Sequence, residues 1–279
     1  MTSGSLPTPP SCYRHPGRET RLSCSNCGKP ICVECTIDTP VGQKCPECAA
    51  PTGRHRVVTA QTIRSGVRRA APVTFAILAI NVAVFIVGEL DPAVGRRFFL
   101  DGAQQADLVR DGEWWRAVTS MFLHASFAHV GFNMWALYLF GPALERRYGP
   151  VPFSALYLAS GLGGSALYHL LGRANPAVGA SGAIFGLMGA LIVTLYDQRH
   201  TRVGRAIFSQ LLLLLAINLA LPLLVPNVAW EAHVGGLVAG GAVAFAWSRL
   251  PVAGRAAIPR QVSVALAVIV VAIGALLFG

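Results

Sequence analysis

Long apolar blocks alternate with short polar segments over the last three quarters of the chain. About 20 consecutive apolar residues are enough to cross the hydrocarbon core of a bilayer as an α-helix. The pattern therefore predicts an all-α fold, a polytopic bundle of membrane helices, with a polar loop at about 91–117 after the first span. The predicted spans are residues 72–90, 125–142, 151–171, 181–196, 205–222, 230–249 and 261–278.

The first 71 residues lack such blocks and divide into three parts. Residues 1–11 are rich in Ser, Thr, Pro and Gly and are predicted to be disordered. Residues 12–48 hold all seven cysteines of the chain, and residues 49–71 form a basic linker. The remainder is divided into a six-span domain at 72–250 and a seventh transmembrane helix at 251–279.

Composition and charge support this division. Hydrophobic residues make up 53% of the chain and charged residues only 13%. The formal net charge of +10 could indicate nucleic-acid binding, but the arginines mostly flank apolar blocks, so we predict a lipid-bilayer partner and no nucleic acid. The excess of arginine over lysine indicates a GC-rich bacterial genome.

The loop arginines predict the orientation, because cytoplasmic loops carry an excess of Lys and Arg. The richer set of segments lies on the side of the N-terminus, so we predict a multi-pass cell-membrane protein with a cytoplasmic N-terminus. This set contains Arg64, Arg68, Arg69, Arg146, Arg147, Arg199, Arg202, Arg205, Arg249, Arg255 and Arg260.

The cysteine module has the spacing of a metal site. Reduced thiols are typical of the cytosol, and 37 residues can bury little core without a metal or another cross-link. Eight ligands suffice for two tetrahedral zinc ions with no open position, so both ions are predicted to be structural. The alternative is a metal-free, cysteine-rich tail. The four pairs are Cys12-x2-His15, Cys24-x2-Cys27, Cys32-x2-Cys35 and Cys45-x2-Cys48, and His55 is a spare candidate.

Two residues near the first positions of separate spans form a candidate catalytic pair. Ser181 lies in a Gly-Ala-Ser-Gly segment, and His233 precedes Gly236 and Gly240. Spans two, four and six enter from the same face, so both side chains should lie at similar depth. A hydroxyl beside an imidazole is the minimal nucleophile–base unit, and small residues allow two helices to approach closely.

The second span adds His129 and Asn133, which are four residues apart and share a helix face. They could donate hydrogen bonds to an oxyanion, or they could hold neighbouring helices together. Beside Ser181 and His233, the catalytic interpretation is favoured. Glu231 is two residues from His233 and points to another face, so a dyad is predicted rather than a triad. Phe185, one turn after Ser181, could stack on the His233 ring.

The ordered set of motifs resembles the rhomboid family of intramembrane serine proteases over about 72–250. The matching segments are Trp115-Arg116, His129 to Asn133, Gly141 to Gly149, Gly179 to Gly182, and His233 with Gly236 and Gly240. The resemblance implies Ser181 as nucleophile, His233 as general base, and His129 with Asn133 as oxyanion donors. It also implies structural roles for Glu145 and Arg116. Phe185 replaces a tyrosine that many members carry.

The same resemblance implies a substrate and a reaction. The expected activity is hydrolysis of peptide bonds in or near transmembrane helices of other membrane proteins, with no cofactor for catalysis. The cysteine module looks like a B-box zinc finger. By analogy, one ion takes Cys12, His15, Cys32 and Cys35, and the other takes Cys24, Cys27, Cys45 and Cys48. Such a module would offer a surface to a cytosolic protein partner.

Two other functions compete with the protease. A catalytically silent, rhomboid-like protein could bind membrane clients, but the presence of both Ser181 and His233 argues against it. A transporter or channel should show internal repeats or paired intramembrane charges, and the spans show neither.

Overall fold

The computed structural model describes residues 8–39, 42–50, 71–171, 175–225, 228–250 and 256–279. The chain divides into two compact units, Met1–Ala60 and Gln61–Gly279. Most of the segment predicted to be disordered (1–7 of 1–11) and most of the predicted linker (51–70) lie outside the described residues, as does His55. The predicted domain boundaries therefore stay predictions.

Two short hairpins, a 3-10 turn (Val33–Cys35) and one turn of α-helix build the described part of the N-terminal unit. Strands β1 (Ser11–Cys12) and β2 (His15–Glu19) pair antiparallel, and so do β3 (Ile37–Thr39) and β4 (Gly42–Lys44). Helix α1 (Pro46–Ala49) follows the second hairpin. Since β1 begins at Ser11, ordered structure starts inside the segment predicted to be disordered, because the backbone of Ser11 pairs with that of Glu19.

The second unit is helical, and its long helices correspond to the seven predicted spans. Three short helices occupy the segment predicted to be a polar loop. In chain order the helices are α2 (Pro72–Leu90), α3 (Pro92–Gly102), α4 (Ala106–Arg110), α5 (Arg116–Thr119), α6 (Phe127–Tyr148), α7 (Pro150–Leu170), α8 (Ser181–Leu195), α9 (Arg202–Ala220), α10 (Trp230–Ser248) and α11 (Ala257–Phe278).

Four helical segments among the described residues are long and apolar enough to cross a membrane: Pro72–Leu90, Ser181–His200, Arg202–Leu223 and Ala257–Phe278. The other long helices, α6, α7 and α10, are richer in polar and small residues. Much of α7 and α10 is buried against other helices. Helices that pack against protein instead of lipid can carry polar and small residues at lower cost.

Helix α6 extends six residues beyond the predicted end of the second span. It continues through Pro142 and stops at Gly149, whose φ of +88° suits glycine. The extension carries Glu145, which is 1% exposed and accepts hydrogen bonds from the backbone N–H groups of Val73 and Thr74, each at 2.8 Å. These donors lie in the first turn of α2, where no intrahelical acceptor is available. Glu145 therefore has the structural role that the sequence implied.

The segment between α2 and α6 is folded, which differs from the prediction of a polar loop. Asp91 caps α3 by accepting from Ala93 N and Val94 N. Arg116 is 5% exposed, donates to the carbonyl oxygens of Leu100 and Ala103, and pairs with Glu113. One buried guanidinium thus joins α3 to α5. Short helices of this kind have too few residues for a clear apolar period.

Helix α11 packs mainly along α7. Near its start, the backbone oxygen of Gln261 accepts a hydrogen bond of 2.9 Å from Trp247 Nε1 on α10. Trp247 is 1% exposed, and its ring lies 4.7 Å from that of Tyr148 on α6. The seventh span is thereby fixed to the six-helix core at the end remote from Ser181.

Candidate active site and candidate metal centres

Ser181 and His233 meet inside the helical unit. Ser181 is the first residue of α8, and His233 lies in the first turn of α10. The Ser181 Oγ and the His233 Nε2 are 2.9 Å apart, which is a hydrogen-bond distance. His233 is only 7% exposed. The two side chains have the arrangement that nucleophile activation by an imidazole requires.

Glycines bring the two helices together. A Cβ atom on Gly236 would overlap the carbonyl oxygen of Gly182, and one on Gly240 would overlap that of Gly186. The two GxxxG steps therefore face each other along the α8–α10 contact. Because Ser181 and His233 lie directly beside these steps, the backbone approach sets the distance between their side chains.

The imidazole of His233 is held on one face by an aromatic ring. Phe185 and His233 stack with ring centroids 4.2 Å apart and an interplanar angle of 6°. Within the described residues, Nδ1 of His233 has no hydrogen-bond partner. Glu231 is buried, but no hydrogen bond joins it to the His233 ring in the described part of the chain. The geometry is that of a pair of residues and not of a triad.

Gly179 links the candidate oxyanion donors to Ser181. Its φ of +126° is a conformation that only glycine adopts without strain. A Cβ at this position would lie 2.6 Å from His129 Nε2 and 3.7 Å from Asn133 Nδ2. Both side chains therefore lie against the backbone two residues before Ser181. Asn133 Nδ2 also donates to the carbonyl oxygen of His129 at 3.1 Å, which orients its amide.

Sequence reasoning missed Gln104. Its backbone pairs with that of Ala177 through two hydrogen bonds of 3.0 and 2.8 Å, and its side chain donates to the carbonyl oxygen of Ser165 at 2.7 Å. Gly179 N donates to Ser120 O at 2.8 Å. The folded segment between α2 and α6 thereby holds the strand-like stretch that leads into Ser181. The only signal in the sequence was a pair of glutamines, Gln104 and Gln105, between two alanines.

A cavity of about 30 Å³ adjoins Ser181. Gln104, Ser120 and Ser165 contribute polar atoms to its wall, and Met121 and Ala183 contribute apolar ones. This volume is enough for about one water molecule, provided that polar partners are present. The site can therefore keep water next to the hydroxyl of Ser181.

In the N-terminal unit, the eight predicted ligands converge in two groups of four. One group is Cys12, His15, Cys32 and Cys35, and the other is Cys24, Cys27, Cys45 and Cys48. Within each group all candidate ligand atoms lie within 4.8 Å of one another. His15 directs Nδ1 at the thiols, with Cys32 Sγ at 3.3 Å and Cys35 Sγ at 3.4 Å. Four thiolate or imidazole ligands at this spacing fit a tetrahedral zinc ion.

The surroundings of two thiols favour the thiolate form that binds metal. Hydrogen bonding from the backbone of Cys45 is the main reason that the pKa of the Cys24 thiol is lowered to about 6. For Cys12, burial opposes ionisation, but backbone hydrogen bonds from Arg14, Cys32 and His15 outweigh it and lower the thiol pKa to about 6. Each group of four thus contains at least one thiol that ionises readily.

Two family models match the chain. The model described as a rhomboid domain matches residues 111–250, which include Ser181, His233, His129 and Asn133. The model described as a B-box zinc finger matches residues 7–39. This second match contains the whole first ligand group and Cys24 with Cys27, but it ends before Cys45 and Cys48.

Curated relatives include three whose names carry the same family term. Rhomboid protease GluP of Bacillus subtilis (strain 168) is 36% identical over 208 residues, which cover 74% of this chain and 40% of GluP. Putative rhomboid protease YdcA of the same organism is 35% identical over 180 residues, 63% of this chain and 89% of YdcA. RHOMBOID-like protein 6, mitochondrial, of Arabidopsis thaliana is 40% identical over 144 residues, 50% of this chain and 45% of that protein. The chain thus spans less than half the length of GluP and of RHOMBOID-like protein 6.

Proposed function

The chain belongs to the rhomboid family, and we propose that it is an intramembrane serine protease in which Ser181 and His233 form the catalytic dyad. The observation that carries the proposal is the 2.9 Å contact between Ser181 Oγ and His233 Nε2 inside a helical membrane unit. Two of the relatives are named as proteases, which agrees with this chemistry at the level of the family.

In the proposed reaction, Ser181 Oγ attacks the scissile carbonyl carbon while His233 Nε2 takes the hydroxyl proton. The imidazolium then returns that proton to the leaving amine, and an acyl-enzyme remains. A water molecule, deprotonated by the same ring, hydrolyses the ester and restores Ser181. The cavity beside Ser181 can supply that water. Stacking on Phe185 keeps the His233 ring in one orientation through both steps.

Negative charge develops on the carbonyl oxygen during the attack and needs donors that are already in place. Asn133 Nδ2 and His129 Nε2 both lie against Gly179, on the approach to Ser181. We assign them to the oxyanion. Asn133→Ala is expected to slow turnover by up to about 10²–10³, measured as the initial cleavage rate of a transmembrane reporter. An unchanged rate would remove Asn133 from this role.

The substrate class follows from the position of the site. An intact transmembrane helix hides its carbonyl groups in intrahelical hydrogen bonds. We therefore propose that transmembrane proteins are cleaved where their helix unwinds near the membrane face that holds Ser181. The arginine distribution supports a cytosolic N-terminus, and the proposed cleavage is accordingly near the non-cytosolic face of the membrane.

For the N-terminal unit we propose two structural zinc ions, one in each group of four ligands, and a cytosolic protein as the partner of the folded module. The ligand convergence and the B-box match support zinc binding. Because each ion would have four protein ligands, none would be open for catalysis. Zinc at these sites would stabilise the folded module and would take no part in the reaction.

A fluorophosphonate probe tests the dyad, because an activated serine oxygen attacks its phosphorus, displaces fluoride and keeps the probe as a phosphonate ester. Full-length protein in detergent should be labelled, and Ser181→Ala and His233→Ala should lose the label. Ser209→Ala and His200→Ala are matched controls, since Ser209 donates only to a backbone oxygen on α9 and His200 is exposed. Equal labelling of all five proteins would instead favour a catalytically silent protein that binds membrane clients.

A further inference from the structure

A second cavity in the helical unit has a volume of about 400 Å³. It lies between the last turns of α2, the start of α3 and the segment just before α6. None of its lining residues lines the cavity beside Ser181. Its lining includes His124, whose ring centroid is 5.0 Å from that of His129. The second cavity is therefore a separate site on the same side of the bundle as Ser181.

Polar groups in this cavity lack partners within the protein. Both ring nitrogens of His124 are buried and have no hydrogen-bond partner among the described residues. The side chains of Arg96 and Glu89 also line the cavity, and no hydrogen bond or ion pair joins either side chain to another described residue. Both side chains are exposed, so their charged groups can reach a molecule in the cavity. One positive and one negative charge beside each other fit a ligand that carries both a negative and a positive charge.

The rest of the wall is apolar. Phe85, Phe98, Phe99 and Leu123 line it, and Phe98 and Phe99 are 37% and 41% exposed. Helix α2 has 19 residues, which is just long enough to cross the hydrocarbon core, so its last turn lies at the bilayer boundary. At this depth the cavity faces the phosphate groups of the lipids and the first carbons of their acyl chains.

Two glycines in the wall of the cavity bring α2 and α3 into close contact. A Cβ on Gly95 would lie 2.5 Å from the carbonyl oxygen of Gly88, so α2 and α3 touch through their backbones. Glu89 and Arg96 each follow one of these glycines directly. The contact therefore fixes the positions from which the two charged side chains reach the cavity.

We propose that this cavity binds one glycerophospholipid with an amine headgroup, of the phosphatidylethanolamine type. Arg96 donates to the lipid phosphate, Glu89 pairs with the ammonium, and an acyl chain lies along Phe85 and Phe98. An arginine is the usual partner of a phosphate, and basic pockets at the ends of membrane helices bind lipid headgroups. A purely anionic headgroup would leave the Glu89 carboxylate without a partner. Binding is independent of the proposed proteolysis, since no substrate takes part.

Native mass spectrometry of the full-length protein in detergent measures this binding. The protein is titrated with phosphatidylethanolamine and with phosphatidylglycerol carrying the same acyl chains. Arg96→Gln should weaken phosphatidylethanolamine binding about tenfold. Arg97→Gln is the matched control, because Arg97 is the adjacent arginine and does not line the cavity. Glu89→Gln should remove the preference for the amine lipid over phosphatidylglycerol.

Three outcomes would overturn the proposal. Equal losses in Arg96→Gln and Arg97→Gln would mean that the lipids are held by general charge attraction. Equal affinity of the wild-type protein for both lipids would contradict the role of Glu89. If neither lipid binds but Arg96→Gln raises the KM for a transmembrane reporter, the cavity holds a segment of the substrate. A photoactivatable phosphatidylethanolamine that crosslinks to α2 and α3 in the wild type and not in Arg96→Gln would support the assignment independently.

Discussion

Five of the six residues in the buried cluster of the N-terminal unit are cysteines, whereas the tightest contacts of the helical unit are made by glycines. In the first unit, a few ligand atoms converge, and Ile31 is the one fully buried aliphatic residue among residues 8–39 and 42–50. In the second, helices approach until backbone touches backbone. The first unit depends on the side chains of its metal ligands. The second depends on glycines, which have no side chain to keep the helices apart.

This difference makes the two units sensitive to different changes. A change at a metal ligand should unfold the first unit and leave the second intact. Adding a single methyl group should damage the second unit if it lies at a helix contact, and the same methyl group a few residues away should have no effect.

The largest expected effect is that of metal removal. Structural zinc contributes on the order of 10–16 kcal/mol to the folding of small zinc-binding domains, so a strong chelator should abolish hydrogen-exchange protection across residues 8–50. Cys32→Ser should do the same around the first ligand group, with Glu19→Gln as an exposed control. Labelling of Ser181 by the fluorophosphonate should persist in both cases. Loss of labelling together with zinc would show that the two units are coupled.

Gly236→Ala tests the glycine contact. The new Cβ overlaps the carbonyl oxygen of Gly182, so α8 and α10 must separate, at a cost of about 3 kcal/mol. We expect a lower thermal midpoint and loss of Ser181 labelling. Gly241→Ala is the matched control on the same helix, since nothing lies within 4 Å of its Cβ position. Equal behaviour of the two variants would contradict control of the active-site geometry by the α8–α10 contact.

Glu145→Gln tests whether the helical unit also depends on a single polar side chain. The Glu145 carboxylate accepts from Val73 N, Thr74 N and Thr74 Oγ1, and an amide can replace only part of this. The expected loss of unfolding free energy is about 2 kcal/mol, measured by thermal or denaturant unfolding in detergent. Asp101→Asn, at an exposed position, serves as the reference. A loss as large as that from metal removal would mean that the helical unit, like the N-terminal unit, depends on a few polar side chains.

The smallest expected effect is that of a surface ion pair in the N-terminal unit. Arg18 and Glu34 are 2.5 Å apart, but their side chains are 52% and 62% exposed. Water and salt screen such pairs, so Arg18→Gln should leave both the zinc content and the rate of zinc release to a chelator unchanged. A clearly faster release would mean that charge, in addition to ligation, holds the module together.

Much of the architecture could be predicted from the chain alone. All seven long helices begin and end within six residues of the predicted spans, because a bilayer demands long apolar blocks. The pairing of the metal ligands into two interleaved groups also agrees with the expectation drawn from the B-box resemblance. The three helices between α2 and α6 were missed, because they are short and carry no sustained period.

Some residues of the candidate site could likewise be predicted from the sequence, and others could not. Ser181, His233, His129 and Asn133 stand out in the sequence, since polar residues in apolar spans are costly. Their catalytic roles are proposals that the labelling experiment addresses. Gln104 does not stand out, because its contribution includes a backbone contact with a residue distant in the chain. Gly179 belongs to a segment that carries the family resemblance, but its contact with His129 is visible only in the structure. The cavity at His124 could not be predicted either, since three separate segments enclose it.

By itself, the sequence determined where the long helices lie, which residues can bind metal and which polar groups lie inside the bundle, because these properties depend on composition and spacing along one chain. Only the tertiary structure decided that Ser181 Oγ lies 2.9 Å from His233 Nε2 and that Gly179 lies against His129. Distances of this kind depend on how closely two helix backbones pack. That closeness is set by facing glycines 54 residues apart in the chain, Gly182 with Gly236 and Gly186 with Gly240.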